Sequence, residues 1–240
     1  MVLVTVRYED AHLAIVEKPA GIHTAPLRPG ERGTLLEAIL ARYPEVAGVP
    51  GFKPEEPGLL HRLDRETSGL VVVARTAAAF AALRERFNQD GVRKEYSACC
   101  ALPAGLEGTG AALSVTSRFA PFGPGRRMVR VVLPDEPSRK ALRQATPDSY
   151  QTQARIVQRG ARALLLCAWI ERGFRHQVRA HLAFLGYPII GDPLYGTAIP
   201  AGAADRMYLH ASRIALEHPV TGGRLSVESP LPGEFAALLG

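Results

Sequence analysis

The chain has 240 residues, 47% hydrophobic and 22% charged, with a formal net charge of +6, close to the balance of ordinary globular domains. That length supports a sizeable buried core, and the composition argues against disorder and against a disulfide scaffold. No stretch approaches the roughly 18 apolar residues of a membrane helix, and Arg7, Glu9 and Asp10 break the apolar N-terminus short of a signal-peptide core.

Lysine stands only at positions 18, 53, 94 and 140, so arginine supplies most of the positive charge. Planar guanidinium groups suit phosphate, which favours a nucleic-acid partner, although compositional drift leaves the same bias. Cys99, Cys100 and Cys167 show no metal-ligand spacing and no disulfide framework, so a reducing, cytoplasmic compartment is expected and no metal site is.

In chain order, residues 11–17 are rich in strand formers and end at the turn Lys18-Pro19-Ala20-Gly21. Thr34 and Glu37 form a capping box for a helix that should run to about Tyr43 and stop before Pro44. Residues 45–58, dense in proline and glycine, read as loop. The apolar run Leu70–Ala74 predicts a strand buried on both faces, followed by a helix capped by Thr76 and ended at Gly91. A strand over 92–102 comes next. Residues 103–150 are punctuated by Pro121, Pro124, Pro134, Pro137 and Pro147. They predict one strand at 128–133 and otherwise loop carrying Arg118, Arg126, Arg127, Arg130, Arg139, Lys140 and Arg143. Strands near 151–158 and 163–170, a helix near 175–185 ended by Gly186, a turn at 191–196 and two short strands complete the pattern. Strands outnumber helices without strict βαβ alternation, which predicts an α+β fold with a mixed, mostly antiparallel sheet core flanked by helices and loops.

Three segments carry more polar groups than packing needs. His61-Arg62-Leu63-Asp64 lies between a loop and a buried strand, with Arg62 and Arg65 placed to lower the pKa of Asp64. In Lys94-Glu95-Tyr96, strand alternation puts Lys94 and Tyr96 on one face. Arg175, His176, Gln177, Arg179 and His181 crowd the start of a helix. Each has a plain alternative: a self-paired surface turn, a packed strand tyrosine, a solvated first turn. Taken singly, none decides a function.

Taken together, HRLDRETSGLVVVART, RKEYSA and GFRHQVRAHLAFLGYPIIGDPLYG resemble, in this order, the signature motifs of the RluA family of RNA pseudouridine synthases. DAHLAIVEKPAGI and LHASRIALEHPVTG resemble that family's flanking blocks, so the likeness spans most of residues 8–220 and is weakest over about 103–150. The resemblance implies a cofactor-free isomerisation of uridine to pseudouridine. Asp64 matches the essential aspartate. Tyr96 matches a tyrosine that stacks on the target base and is a candidate for removing its C5 proton. Arg179 matches the basic partner of the aspartate. Arg62 corresponds to a position from which some relatives insert an arginine where the base has flipped out. Arg65, Lys94, Arg175, His176 and Gln177 join it as candidate RNA contacts. Phe174 departs from the pattern, standing where the family usually has an arginine.

The expected substrate is ribosomal or transfer RNA, with the uridine flipped from a loop or bulge. Residues 1–240 are expected to form a single catalytic domain without an N-terminal RNA-binding domain of the S4 type, acting as a monomer away from membranes. Attack by Asp64 on the sugar and abstraction of a proton from it both fit these residues. Two other classes were weighed. A non-catalytic RNA-binding module would be marked by loss of Asp64, Tyr96 or Arg179, and all three are present. A glycosidase would need a second carboxylate across the bond, and the motifs supply none.

Overall fold

The computed structural model describes residues 4–102 and 112–240. They cluster into two compact units, one built from residues up to Lys94 together with His210–Leu231, the other from Glu95–Leu209 with Pro232–Gly240. Among the described residues no helix is long and apolar enough to cross a membrane.

The first unit is organised on β3 (Ser68–Ala74), whose residues are all buried, as the apolar run predicts. It pairs antiparallel with β2 (Leu13–Lys18), which pairs antiparallel with β1 (Thr5–Glu9). On its other side β3 runs parallel to β9 (Leu209–Glu217), and β10 (Arg224–Glu228) closes antiparallel on β9. Helix α1 (Leu35–Arg42) starts at the Thr34 hydroxyl, which accepts from the Glu37 amide at 3.2 Å. The Glu37 carboxylate reaches one residue further back than the capping box predicts, to the Gly33 amide at 2.6 Å. Helix α2 (Ala77–Asn88) is capped by Thr76 and buries Ala79, Phe80, Leu83 and Phe87 against Leu70 and Val72 of β3.

The second unit carries most of β4 (Val92–Cys100), then β5 (Ala112–Phe122), β6 (Met128–Val132), β7 (Tyr150–Arg159) and β8 (Leu164–Ile170). They run β4-β8-β7-β5-β6, with antiparallel β8–β7, β7–β5 and β5–β6 pairings. Helix α4 (Gln177–Phe184) and helix α5 (Gly233–Leu239) pack on this unit. These strand pairings bear out a mixed, mostly antiparallel α+β fold.

Several elements depart from the sequence reading. The stretch from 112 to 122, expected as loop, is an eleven-residue strand; its outward Ser and Thr residues hide the alternation that buries Val115, Ser117 and Phe119. A short helix, α3 (Arg139–Gln144), is capped by Ser138 within the presumed loop and is too short for periodicity to register. The part of that loop at 103–111 lies outside the described residues. Helix α4 begins at Gln177 because His176 takes a left-handed conformation, φ 58°. Strand β1 and helix α5 were not expected.

One glycine fixes the β3–β9 seam. Gly69 has φ +117°, and a Cβ there would lie 2.2 Å from the Ala211 carbonyl oxygen. Gly186, φ +86°, caps α4 with open space around it. Gly186→Ala should therefore lose only the left-handed penalty, about 1 kcal/mol. Gly69→Ala adds a backbone collision and should cost about 3 kcal/mol or more. Urea denaturation of both variants checks the ranking.

Candidate active site

Asp64 sits on a segment held from both sides. The buried Thr24 hydroxyl donates to the Leu63 carbonyl at 2.8 Å and accepts from the Leu63 amide at 3.1 Å. On the other flank, the Arg65 carbonyl accepts from the Gly21 amide at 2.8 Å and from the Lys18 ammonium at 3.0 Å. Lys18 is fully buried and also donates to the carbonyls of Pro19 and Ile22, at 2.8 and 2.9 Å. A buried ammonium is tolerable only when its donors are met, and the carbonyls of Pro19, Ile22 and Arg65 meet them. The Asp64 carbonyl accepts from the Thr67 amide at 3.1 Å, closing the turn into β3. The carboxylate is partly exposed on this clamped backbone.

Its neighbours divide their work. The His61 ring accepts from the Val72 amide at 3.1 Å and stacks on Phe87 at 5.2 Å. Burial, with a smaller contribution from the Lys94 charge, pushes its pKa down to about 3, so the ring is neutral and able to accept. Arg62 donates to Glu56 at 2.8 Å; its side chain is 46% exposed while that of Glu56 is 6% exposed. The exposed Arg65 donates to the Gly21 carbonyl at 3.0 Å. Below the turn, Ser68, His210, Ser229 and Glu17 form a chain of hydrogen bonds of 2.7 to 2.9 Å. Because the Ser229 hydroxyl donates to Glu17, it accepts from Nε2–H of His210, which leaves Nδ1 of a neutral ring to accept from Ser68.

The second unit holds the other motif residues. Tyr96 is buried on the inward face of β4, in the alternation expected of it. Arg179 in α4 forms a two-pronged bond with Asp192: Nε and Nη2 each lie 2.7 Å from a carboxylate oxygen, with both side chains buried. Asp192 also accepts from the Leu194 and Tyr195 amides at 2.9 and 3.1 Å. Burial alone would raise its pKa; the Arg179 hydrogen bonds and charge, with the two amides, outweigh that and lower it. Tyr195 packs its ring under the Arg179 guanidinium at 5.5 Å, and its hydroxyl accepts from the Val129 amide at 2.7 Å. His176 reaches the same hydroxyl at 3.1 Å.

Two of the expected RNA contacts, Gln177 and Lys94, are buried. Gln177 is buried, accepts from the Phe174 amide at 2.9 Å and donates to the Gln151 carbonyl at 2.8 Å, so it staples the start of α4 to β7. Lys94 is 4% exposed, lies over the Phe87 ring at 5.0 Å and donates to the Val92 carbonyl; it supports the His61–Phe87 stack from inside. Arg62, Arg65 and Arg175 are exposed and His176 is half-buried. Arg175 donates to the Arg126 and Met128 carbonyls at 3.0 and 3.3 Å, beside the β5–β6 turn. Phe174 stacks on Phe119, centroids 5.0 Å apart and planes 7° from parallel, and packs on Tyr150; the residue that replaces the family's arginine is a half-buried aromatic at the edge of this cluster. Sequence reasoning missed Lys18, Thr24 and Asp192 as supports. Asp192 lay in view within Gly191-Asp192-Pro193-Leu194-Tyr195-Gly196 and was read only as a turn.

The fold is that of pseudouridine synthases. Human RNA pseudouridylate synthase domain containing 4 has a TM-score of 0.71 at 22% identity, covering 98% of this chain and 91% of the other. Human RNA pseudouridylate synthase domain containing 1 gives 0.71 at 21%, covering 95% and 83%. The family model described as RNA pseudouridylate synthase matches residues 12–184. Ribosomal large subunit pseudouridine synthase D of Xanthomonas campestris is 34% identical, over 98% of this chain and 68% of its own length. The protein of that name from Nitrosomonas europaea is 36% identical, over 97% and 63%. An uncharacterized RNA pseudouridine synthase of Chloroflexus aurantiacus is 38% identical, over 92% and 64%. The chain thus spans about two thirds of the length of these relatives. It belongs to the RNA pseudouridylate synthase family, in the RluA group its motifs resemble, and to the isomerases.

Two predictions follow from the buried ions and rings. Asp192→Asn leaves the Arg179 charge short of its buried counter-ion and should lower unfolding free energy by about 3 kcal/mol or more, read by urea denaturation. His181, buried between Ser117 and Thr152 at 2.8 and 2.7 Å, has its pKa pushed down to about 4 by burial. With His61 at about 3, both rings stay neutral in the fold while the unfolded chain takes up protons below about 6.5. Stability from these two groups is therefore present above pH 6.5 and is lost progressively as pH falls, toward 4 for His181 and toward 3 for His61. Thermal melts should show that decline, with a shallower slope in His181→Asn.

Proposed function

We propose that the chain isomerises specific uridines of large-subunit ribosomal RNA to pseudouridine, with Asp64 as the catalytic carboxylate. The observation that carries this reading is the clamped, partly exposed Asp64 inside the motif shared with the family. The names of the Xanthomonas and Nitrosomonas relatives support ribosomal over transfer RNA as substrate.

In the reaction the N1–C1′ bond breaks, the uracil turns, and C5 joins C1′. The C5 proton leaves and N1 ends protonated, so the change is redox-neutral and balances without a cofactor. Extracting the uridine from its stack costs roughly a few kcal/mol, which favours loops and bulges. Whether Asp64 attacks the sugar or removes a proton from it, the carboxylate acts ionised, and holding its backbone rigid lowers the entropic part of the barrier. On this reading Tyr96 stacks on the target base and Arg179 supplies the positive charge for the reaction. Arg62, Arg65, Arg175 and His176 contact RNA. The exposed Arg126, Arg127, Arg139, Lys140 and Arg143 add phosphate contacts, so binding weakens as salt rises. The two units serve as one catalytic domain, as a match running from residue 12 to 184 suggests, and the protein works as a cytoplasmic monomer.

The test compares the wild type with Asp64→Asn on unmodified ribosomal and transfer RNA, mapping pseudouridine by chemical derivatisation and primer extension. The expected outcome is new pseudouridine in large-subunit ribosomal RNA with the wild type. The variant should be slower by at least about 10²-fold while retaining salt-sensitive RNA binding. Product confined to transfer RNA would overturn the substrate assignment. Equal rates from both proteins would overturn the role of Asp64.

A further inference from the structure

Beside the Asp64 turn, wholly within the first unit, lies a cavity of about 240 Å³ lined by Phe52, Lys53, Glu56, Leu59, His61 and Arg62. The space is a groove open to solvent rather than a closed void, so a ligand can enter it directly. Arg62 apart, the reaction described above gives its lining no role.

The lining is built rather than incidental. The loop that carries it folds tightly on itself: the Glu56 amide donates to the Lys53 carbonyl at 3.0 Å, and the Gly58 amide to the Pro50 carbonyl at 3.0 Å. A Cβ on Gly51 would stand 2.2 Å from the Glu56 carbonyl oxygen, so only glycine allows this approach. Phe52 is 48% exposed, an unusual position for a phenylalanine in a loop. Its ring is fixed edge-on to the buried Phe80 at 5.9 Å, which holds it as a platform. The Glu56 carboxylate is almost fully buried, with Oε1 bonded to the half-exposed Arg62. Lys53 is exposed, so the pocket combines an aromatic face, a buried acceptor and two cations.

We infer that this cavity is a nucleotide subsite, occupied by a base that flanks the target uridine in the RNA. The base stacks on Phe52, and its phosphates meet Lys53 and Arg62. Stacking of this kind tolerates every base, so selectivity comes from Glu56. An ionised carboxylate only accepts hydrogen bonds. It favours an edge with an exocyclic amino group, as in cytosine, guanine or adenine; uracil's single donor, N3–H, lies between two carbonyl oxygens that the carboxylate repels. The neutral His61 ring adds no charge to oppose this choice. Arg62 and Asp64 lie two residues apart on one clamped segment, which makes the neighbouring nucleotide the natural occupant.

The inference rests on the reading of Asp64 as a carboxylate acting on RNA, and the test separates the two. Stem-loop RNAs carrying the target uridine with randomised flanking nucleotides are incubated with wild type, Phe52→Ala and Glu56→Gln, and the pseudouridylated products are sequenced. The wild type should discriminate against uridine at one flanking position. Glu56→Gln should level that preference, and Phe52→Ala should slow the preferred substrate on the order of tenfold. Phe52→Ala leaves the Glu56–Arg62 pair in place, and thermal melts confirm that both variants fold. Product formed with a flanking profile unchanged in both variants would overturn the subsite and leave the activity standing. If no RNA in the pool is modified, the activity reading fails. Ligand-detected NMR with CMP, GMP, AMP and UMP then decides the subsite: preference for the amino-bearing nucleotides, lost in Phe52→Ala, supports it, and equal or absent binding overturns it.

Discussion

The Lys18 ammonium, buried against three main-chain carbonyls, is the contact on which the Asp64 turn depends. It joins the end of β2 to the residue after Asp64, across 47 positions of sequence. Thr24 does the same for the residue before it, across 39. Neither side chain touches the reaction in the proposed mechanism. Their effect is to remove the rotations by which the Asp64 backbone would otherwise wander, so that the ordering cost falls on folding rather than on substrate binding. Burying a cation to hold a turn is costly unless every donor is met, and Pro19, Ile22 and Arg65 each present a carbonyl to it.

The second unit solves a related problem with the signs reversed. Arg179 is a cation that must keep one orientation, and Asp192 fixes it through a planar fork. A lysine would supply the charge without the fork. Asp192 is in turn held by the amides of its own turn, and Tyr195 covers the guanidinium while anchoring β6 through Val129. Both motif ions thus stand on a layer of buried polar groups with satisfied partners. That layer explains why the segments carry more hydrogen-bonding residues than surface turns need.

Much of this was legible in the sequence, and the rest was hidden for identifiable reasons. Strand β3 declared itself because a run of apolar residues has few other places to go, and α1 and α2 because Thr34 and Thr76 cap them. Strand β5 did not, since an edge of serines and threonines around a few buried positions imitates loop composition. The motifs pointed to Asp64, Tyr96 and Arg179, but spacing could not separate contacts from supports. Lys94 and Gln177 looked like outward polar residues and are interior ones. Their burial depends on what the fold places over them, which no local pattern records. Asp192 was in plain view yet meaningless until α4 brought Arg179 against it.

The arginines show the same limit at the level of charge. A net charge of +6 says that cations exceed anions, without saying which cations are committed to the protein. Arg7, Arg75, Arg86, Arg130, Arg172 and Arg179 each meet a carboxylate within 2.9 Å, and Arg42 and Arg75 lie over the Tyr43 ring. These hold the fold. Arg126, Arg127, Arg139, Lys140 and Arg143 are exposed and fall within one short stretch of the second unit. The turn between β5 and β6 that carries the first two is held from beneath by Arg175. These residues add to exposed cations elsewhere on the chain, and a basic stretch on a supported turn is what a phosphate backbone recognises. Phe174 fits this division. By stacking on Phe119 it stiffens the base of α4, while Arg172 supplies the cation over the Tyr150 ring of the same cluster.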